Sequence, residues 1–189
     1  EANVALTVDH AFKVGRFLGW YYGQEHKARV VIGKDTRRSS YMYEYALAAG
    51  LTASGADAFL LHVTTTPSVS YVVRTEEFDC GIMISASHNP FEHNGIKVFN
   101  GQRYKLPDAL EDRLEEKILS PEPIPTKKGG DIGKRIHGMK NLKYEYIKHL
   151  KGTVQEDLGG LRVLIDCANG AAAATAPDLF ANFEIAADF

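Results

Sequence analysis

Apolar residues Val8, Ala11, Phe12, Val14, Phe17, Leu18 and Tyr21 recur at three- and four-residue steps. That is the period of a helix with one buried face, and it predicts a helix over Val8–Tyr22 that Gly23 stops. A different pattern follows. Arg29-Val30-Val31-Ile32-Gly33 is a short β-branched run closed by glycine, and after a polar stretch at 34–40 an Ala- and Leu-rich segment reads as helical to about Ser54. The same strand, polar loop and helix recur at residues 57–63, a Thr-rich turn ending at Pro67, and a helical stretch to about Arg74, before a third apolar strand at 80–84. Such alternation predicts an α/β fold in which a mostly parallel sheet is covered by helices.

Beyond Ile84 the texture changes. Residues 85–94 are polar around Asn89-Pro90, then a strand is predicted at 95–99 and a charged helix at about 107–119. Pro121, Pro123 and Pro125, with Gly129 and Gly130 behind them, mark an extended connector, because proline cannot continue a helix. A helix at about 141–151 precedes a new buried-strand signal over 161–166, and Asn169-Gly170 with the Ala-rich run to Phe180 completes one more strand, turn and helix. Residues 1–140 therefore read as one domain. Residues 141–189 read as the incomplete start of a second, similar one, whose first βα unit has no strand to pair with. For residues 184–189 strand and frayed end are equally open.

Composition narrows the classes of function. With 189 residues, 44% apolar and 24% charged, the sequence is that of a globular chain. Lys and Arg total 22 against 24 Asp and Glu, a net charge of −2, which leaves no excess of positive charge to hold a nucleic acid. No apolar run is long enough to cross a bilayer, so no membrane association is expected. Cys80 and Cys167 lie far apart within apolar runs and read as buried free thiols in a reducing cytoplasm rather than a disulfide pair.

In an open α/β sheet ligands bind where the strands end, which singles out the loops at Lys34, Thr64, Ser85 and Cys167. Ser85-Ala86-Ser87-His88-Asn89-Pro90 is the richest, with two hydroxyls, an imidazole and an amide before proline forces a turn. One reading is a polar turn. The other makes a serine a nucleophile or phosphate carrier, with His88 or Lys97 supplying proton transfer and positive charge. A metal-hydrolase cluster of His88, Glu92 and His93 fits poorly: its histidines lie five apart around Pro90, whereas sharing a helical face needs four.

The run Ser85-Ala86-Ser87-His88-Asn89-Pro90, followed by Asn94-Gly95-Ile96-Lys97, closely resembles the phosphoserine loop of the α-D-phosphohexomutase superfamily. Gly33-Lys34-Asp35-Thr36-Arg37-Arg38-Ser39 is similar to a second recurrent loop of that family, Thr66-Pro67 to its threonine-proline turn, and Leu164-Ile165-Asp166-Cys167-Ala168-Asn169-Gly170-Ala171 to the opening strand of its second domain. Ile84-Ser85-Ala86-Ser87 together with Ala48-Ala49-Gly50-Leu51 is most similar to the bacterial phosphoglucosamine mutase branch, with the phosphomannomutase and phosphoglucomutase branches as alternatives.

The resemblance implies that Ser87 carries the phosphoryl group, that His88 positions or relays a proton, and that Lys97 serves acid-base chemistry and stabilises transferred charge. It implies that Arg37, with Asn89, orders the loops about the substrate, and that Mg²⁺ binds through the phosphate on Ser87. The substrate is then a hexosamine phosphate, with a sugar 1,6-bisphosphate as intermediate and activator; a homodimer of the full-length protein is left open. A loop-bonding role for His88, a solvated Lys97 and a surface ion pair at Arg37 stand beside these roles. Asp35 and Asp166 read as pins of their own turns. The family's Phe-Gly-Thr-Asp-Gly-x-Arg-Gly segment, its Asp-x-Asp-x-Asp-Arg metal loop and its later sugar- and phosphate-binding loops have no counterpart in these residues. The expectation is a chain that holds the phosphoserine loop without mutase activity of its own, and the reading from another class is a non-catalytic module that binds sugar phosphates.

Overall fold

Thr7 starts the first helix. Its hydroxyl accepts from the His10 amide at 3.2 Å, and His10 Nδ1 accepts from the Thr7 amide at 3.3 Å, a reciprocal cap that satisfies donors the helix itself cannot. The computed structural model describes residues 1–101, 106–136, 140–181, 183 and 185–188. Strands β1 (Arg29–Lys34), β2 (Asp57–Val63), β3 (Cys80–Ile84), β4 (Ile96–Asn100) and β5 (Arg135–Ile136) form one sheet in the order β4-β3-β1-β2-β5. All its pairings are parallel except β3 with β4.

Side chains alternate across this sheet with period two. Val30 and Ile32 of β1 join one core with helices α1 (Val8–Tyr22), α2 (Arg38–Ala53) and α4 (Asp108–Leu119). Val31 joins the other core, with α3 (Thr66–Thr75) and Leu142 of α5 (Lys140–Gly152). Burial on both faces explains why β1 and β3 read as continuous apolar runs rather than alternating ones.

Helices α1 and α2 cross at van der Waals distance because each contributes a glycine. A Cβ on Gly50 would lie 2.2 Å from the Phe12 carbonyl oxygen and 2.8 Å from the Arg16 nitrogen, and one on Gly15 would lie 2.4 Å from the Leu47 carbonyl oxygen. Tyr43, buried beneath this crossing, donates its hydroxyl to the Leu6 carbonyl at 2.6 Å and accepts from the Asn3 amide at 3.3 Å, tying the first residues to the core. Burial pushes its phenol pKa up.

Two features depart from the sequence-based expectation. β5 lies at the end of the proline- and glycine-rich connector, where a two-residue strand presents no periodicity to read; it is set in place by Ala58 donating to the Lys134 carbonyl at 2.9 Å. The strand expected to be buried over 161–166 is the three-residue β6 (Arg162–Leu164), with Leu164 84% exposed. β6 does have a partner: it pairs in parallel with β7 (Ala186–Asp188), with α6 (Ala176–Phe180) between them. Residues 184 and 189 of the terminal segment lie outside the described residues. Cys167 is half-buried rather than buried, and both thiols are free. No helix among the described residues is long and apolar enough to cross a membrane.

Gly50→Ala is expected to force α1 and α2 apart and lower stability by about 1–3 kcal/mol, the range for overpacked contacts, read as a shift of the urea midpoint at constant slope. Burial raises the Cys80 thiol pKa far above its ordinary value. A thiol reagent should therefore label Cys167 alone in the folded chain and Cys80 only after denaturation, whereas labelling of both at equal rates would contradict this packing.

Candidate active site

The parallel strands end together at one edge, and the backbone there is cross-tied. The Asp35 amide donates to the Ile84 carbonyl at 3.0 Å, Thr64 to Lys34 at 3.0 Å, and Ser85 to Gly95 at 2.9 Å. β1 and β2 shift register between Ile32 and Gly33, where Leu61 is the extra residue and His62 follows at φ 57°, ahead of the Thr64–Thr66 turn. These turns surround a cavity of about 480 Å³ whose walls include Asp35, Thr36, Arg37, Thr65, Thr66, Ser87, His88, Asn89, Phe91 and residues 168–171.

Arg37 holds the upper rim. Its Nε donates to Asp35 Oδ2 at 2.7 Å, and its backbone amide to Asp35 Oδ1 at 3.1 Å. The fork of the guanidinium then spreads over the Ser87–His93 loop: Nη1 donates to the carbonyls of Pro90 (2.6 Å) and His93 (3.1 Å), and Nη2 to those of Ser87 (2.9 Å) and Asn89 (2.9 Å). With side-chain exposures of 11% for Arg37 and 12% for Asp35, water screens this pair little. A lysine could not reproduce the arrangement, since its ammonium lacks a planar fork.

Ser87 occupies left-handed backbone, φ 56°, which a non-glycine residue adopts at a cost of about 1–3 kcal/mol unless its surroundings enforce it. Here its amide donates to Ser85 Oγ at 3.1 Å and its carbonyl accepts from Arg37. The result is an exposed Ser87 side chain at the cavity, with its Oγ 3.4 Å from His88 Nδ1.

The other residues singled out by the sequence divide. His88 and Asn89 line the same cavity as Ser87, and Asn89 also offers its carbonyl to Arg37. Lys97 does not line it: the side chain is exposed on β4, opposite Met83 in the ladder. Asp166 accepts from the Ala168 amide at 2.8 Å and so pins its own turn. No cluster of three or more His, Cys, Asp or Glu side chains among the described residues is arranged to hold a metal ion, and Asp35 at the cavity is committed to Arg37 and Ser40. These residues do not by themselves fit a divalent cation.

Sequence reasoning missed three contributors. Ser85 Oγ fixes the Ser87 amide, Thr36 Oγ1 donates to the Asn169 carbonyl at 3.0 Å across the cavity, and Phe91 stands 77% exposed at its wall. Thr65 precedes α3 with its buried hydroxyl unpartnered. Thr36 and Asn169 lie 133 positions apart, too far to be read as partners, and although Ser85 is only two residues from Ser87, sequence does not tell which atom it holds.

Residues 1–124 match the family described as phosphoglucomutase/phosphomannomutase, alpha/beta/alpha domain I. A phosphoglucosamine mutase of Lachnoclostridium phytofermentans is 60% identical over 181 residues, covering 95% of this chain and 40% of the relative, and one of Lachnospira eligens is 56% identical over 185 residues, covering 95% and 41%. A crystal structure of a phosphoglucomutase/phosphomannomutase family protein from Burkholderia thailandensis superposes with a TM-score of 0.80 at 23% identity, over 98% of this chain and 40% of that one, which bears on the fold alone. The chain thus spans about two-fifths of the length of the curated relatives it matches. With the domain-I match running through β1–β4 and the cavity's turns at 35–37, 64–66 and 85–91, the chain belongs to the phosphoglucomutase/phosphomannomutase family.

Proposed function

We propose that this chain supplies the phosphoryl-carrying part of a phosphoglucosamine mutase, in which Ser87 mediates the interconversion of glucosamine 6-phosphate and glucosamine 1-phosphate through glucosamine 1,6-bisphosphate. The observation that carries the reading is the state of Ser87: an exposed side chain on backbone that is held rather than left to fluctuate. A carrier must present the same atom to two ends of a sugar, and fixing that atom beforehand removes an entropic part of the barrier.

In loading, Ser87 Oγ attacks one phosphorus of the bisphosphate and the bond from that phosphorus to the sugar oxygen breaks. The serine proton passes to a base, and the departing sugar oxygen takes up a proton to become a hydroxyl. Discharge reverses these steps onto the free hydroxyl of a glucosamine monophosphate, and removal of the phosphoryl group at the opposite end of the bisphosphate so formed returns it to Ser87 and leaves the isomeric monophosphate. His88 is assigned the serine proton because its Nδ1 lies beside Oγ. Lys97 is assigned acid-base work and charge stabilisation by the resemblance, from an exposed position on β4 outside the cavity wall, and Arg37 with Asn89 the ordering of the loop. Mg²⁺ would be held through the phosphate on Ser87, with its remaining ligands drawn from beyond the described residues, and would offset charge on the phosphate oxygens. Residues 1–140 then form the phosphoserine-loop domain and residues 141–189 open a second, whose Asn169 meets Thr36. A free, buried Cys80 suits a reducing, cytoplasmic setting.

Peptide mass mapping before and after incubation with glucosamine 1,6-bisphosphate tests the proposal, both on the 189-residue chain and on a fusion of it to the remaining three-fifths of the Lachnoclostridium relative. The expected result is one phosphate on the Ser87 peptide of the fusion, lost on addition of glucosamine monophosphate and absent in Ser87→Ala. The 189-residue chain alone is expected to show no steady mutase turnover. A fusion that turns over while Ser87 stays unmodified would sink the carrier role, and sugar-phosphate binding without turnover would favour a non-catalytic module.

A further inference from the structure

We infer that Asp35 and Asn94 are positioning residues that set the backbone of Ser87 through a closed circuit of hydrogen bonds, an inference that rests on Ser87 being the phosphoryl carrier. Asp35 serves three donors with two oxygens: Oδ2 accepts from Arg37 Nε, while Oδ1 accepts from the Arg37 amide and from Ser40 Oγ at 2.6 Å. Ser40 is fully buried and has one proton to give, so its oxygen is left to accept from Asn94 Nδ2 at 2.9 Å. The same Asn94 nitrogen donates to Ser39 Oγ at 2.9 Å, and Asn94 Oδ1 accepts from the Gly95 amide at 2.8 Å. Gly95 returns the circuit to the loop, because its carbonyl accepts from the Ser85 amide and Ser85 Oγ accepts from the Ser87 amide. From the other side, Arg37 Nη2 reaches the Ser87 carbonyl.

The two peptide groups that flank the Ser87 Cα, and so define its φ and ψ, are therefore held from opposite ends of one circuit. Its polarity depends on an ionised Asp35. An amide there presents an NH₂ to either Arg37 or Ser40, both of which donate, and leaves one of those buried groups without an acceptor. Because left-handed serine is disfavoured on its own, a broken link lets the loop relax toward ordinary backbone and moves Oγ away from its place.

Asp35→Asn and Ser40→Ala open the circuit at different nodes, so each variant checks the other should one fail to fold. In the 189-residue chain, amide hydrogen exchange at Ser87 and Gly95 is expected to accelerate about 10-fold in both variants, the equivalent of one lost hydrogen bond, while Ile32 and Ile82 in the sheet keep their rates. In the fusion described above, loading of Ser87 at saturating glucosamine 1,6-bisphosphate is expected to slow about 10²-fold, with the half-saturating concentration unchanged within about 3-fold. Uniform acceleration across the sheet would mark a merely structural role and overturn the inference. So would unchanged exchange at Ser87, or a loosened loop that loads at the normal rate. If the unsubstituted fusion never loads Ser87, the carrier reading fails instead, and the exchange measurement alone decides whether the circuit sets the loop.

Discussion

The Asp35–Arg37 ion pair stands where β1 ends, and the rim of the cavity depends on it because the loop from Ser87 to His93 has no regular ladder to satisfy its carbonyls. Arg37 replaces that ladder with a single side chain, accepting on behalf of the loop the task that strand neighbours perform elsewhere. It delivers four donors to four carbonyls, while Asp35 fixes the direction in which the fork points. Remove the carboxylate, and a guanidinium on a long flexible stem has many other orientations to choose from.

The sheet makes this arrangement possible by bringing distant segments to one edge. β1 lies in the middle of the order and is flanked in parallel by β2 and β3, so the loops that leave all three strands converge on the same cavity. β4 then turns back antiparallel to β3, which places Asn94 and Gly95 beside Ser85 rather than at the opposite end of the sheet. The glycine contact between α1 and α2 lets two helices share one face of this narrow sheet, and α2 in turn carries Ser39 and Ser40 to the site.

Most of this fold was legible in the sequence, for reasons specific to each element. The steps of α1 and the β-branched runs of β1 and β3 are strong periodic signals backed by burial on one face or two. β5 is not legible, because two residues carry no period, and the exposure of β6 is not legible either, because an apolar run says nothing about whether a neighbour covers it. At the site, the motif around Ser87 named the residues through resemblance, but not what holds them. The carbonyl partners of Arg37 lie 50 to 56 positions away, and nothing in a serine announces left-handed backbone as a glycine would.

Lys97 has a physical effect that follows from where it stands. β4 is the last strand on its side of the five-stranded sheet, and Lys97 projects from near its middle. A strand at the side of a sheet can pair with the edge of another copy, and a charged side chain in such a strand is a recurrent means of preventing that association. Substituting Lys97 can therefore change association through β4 whatever it does elsewhere, so light scattering belongs beside any kinetic comparison that alters it.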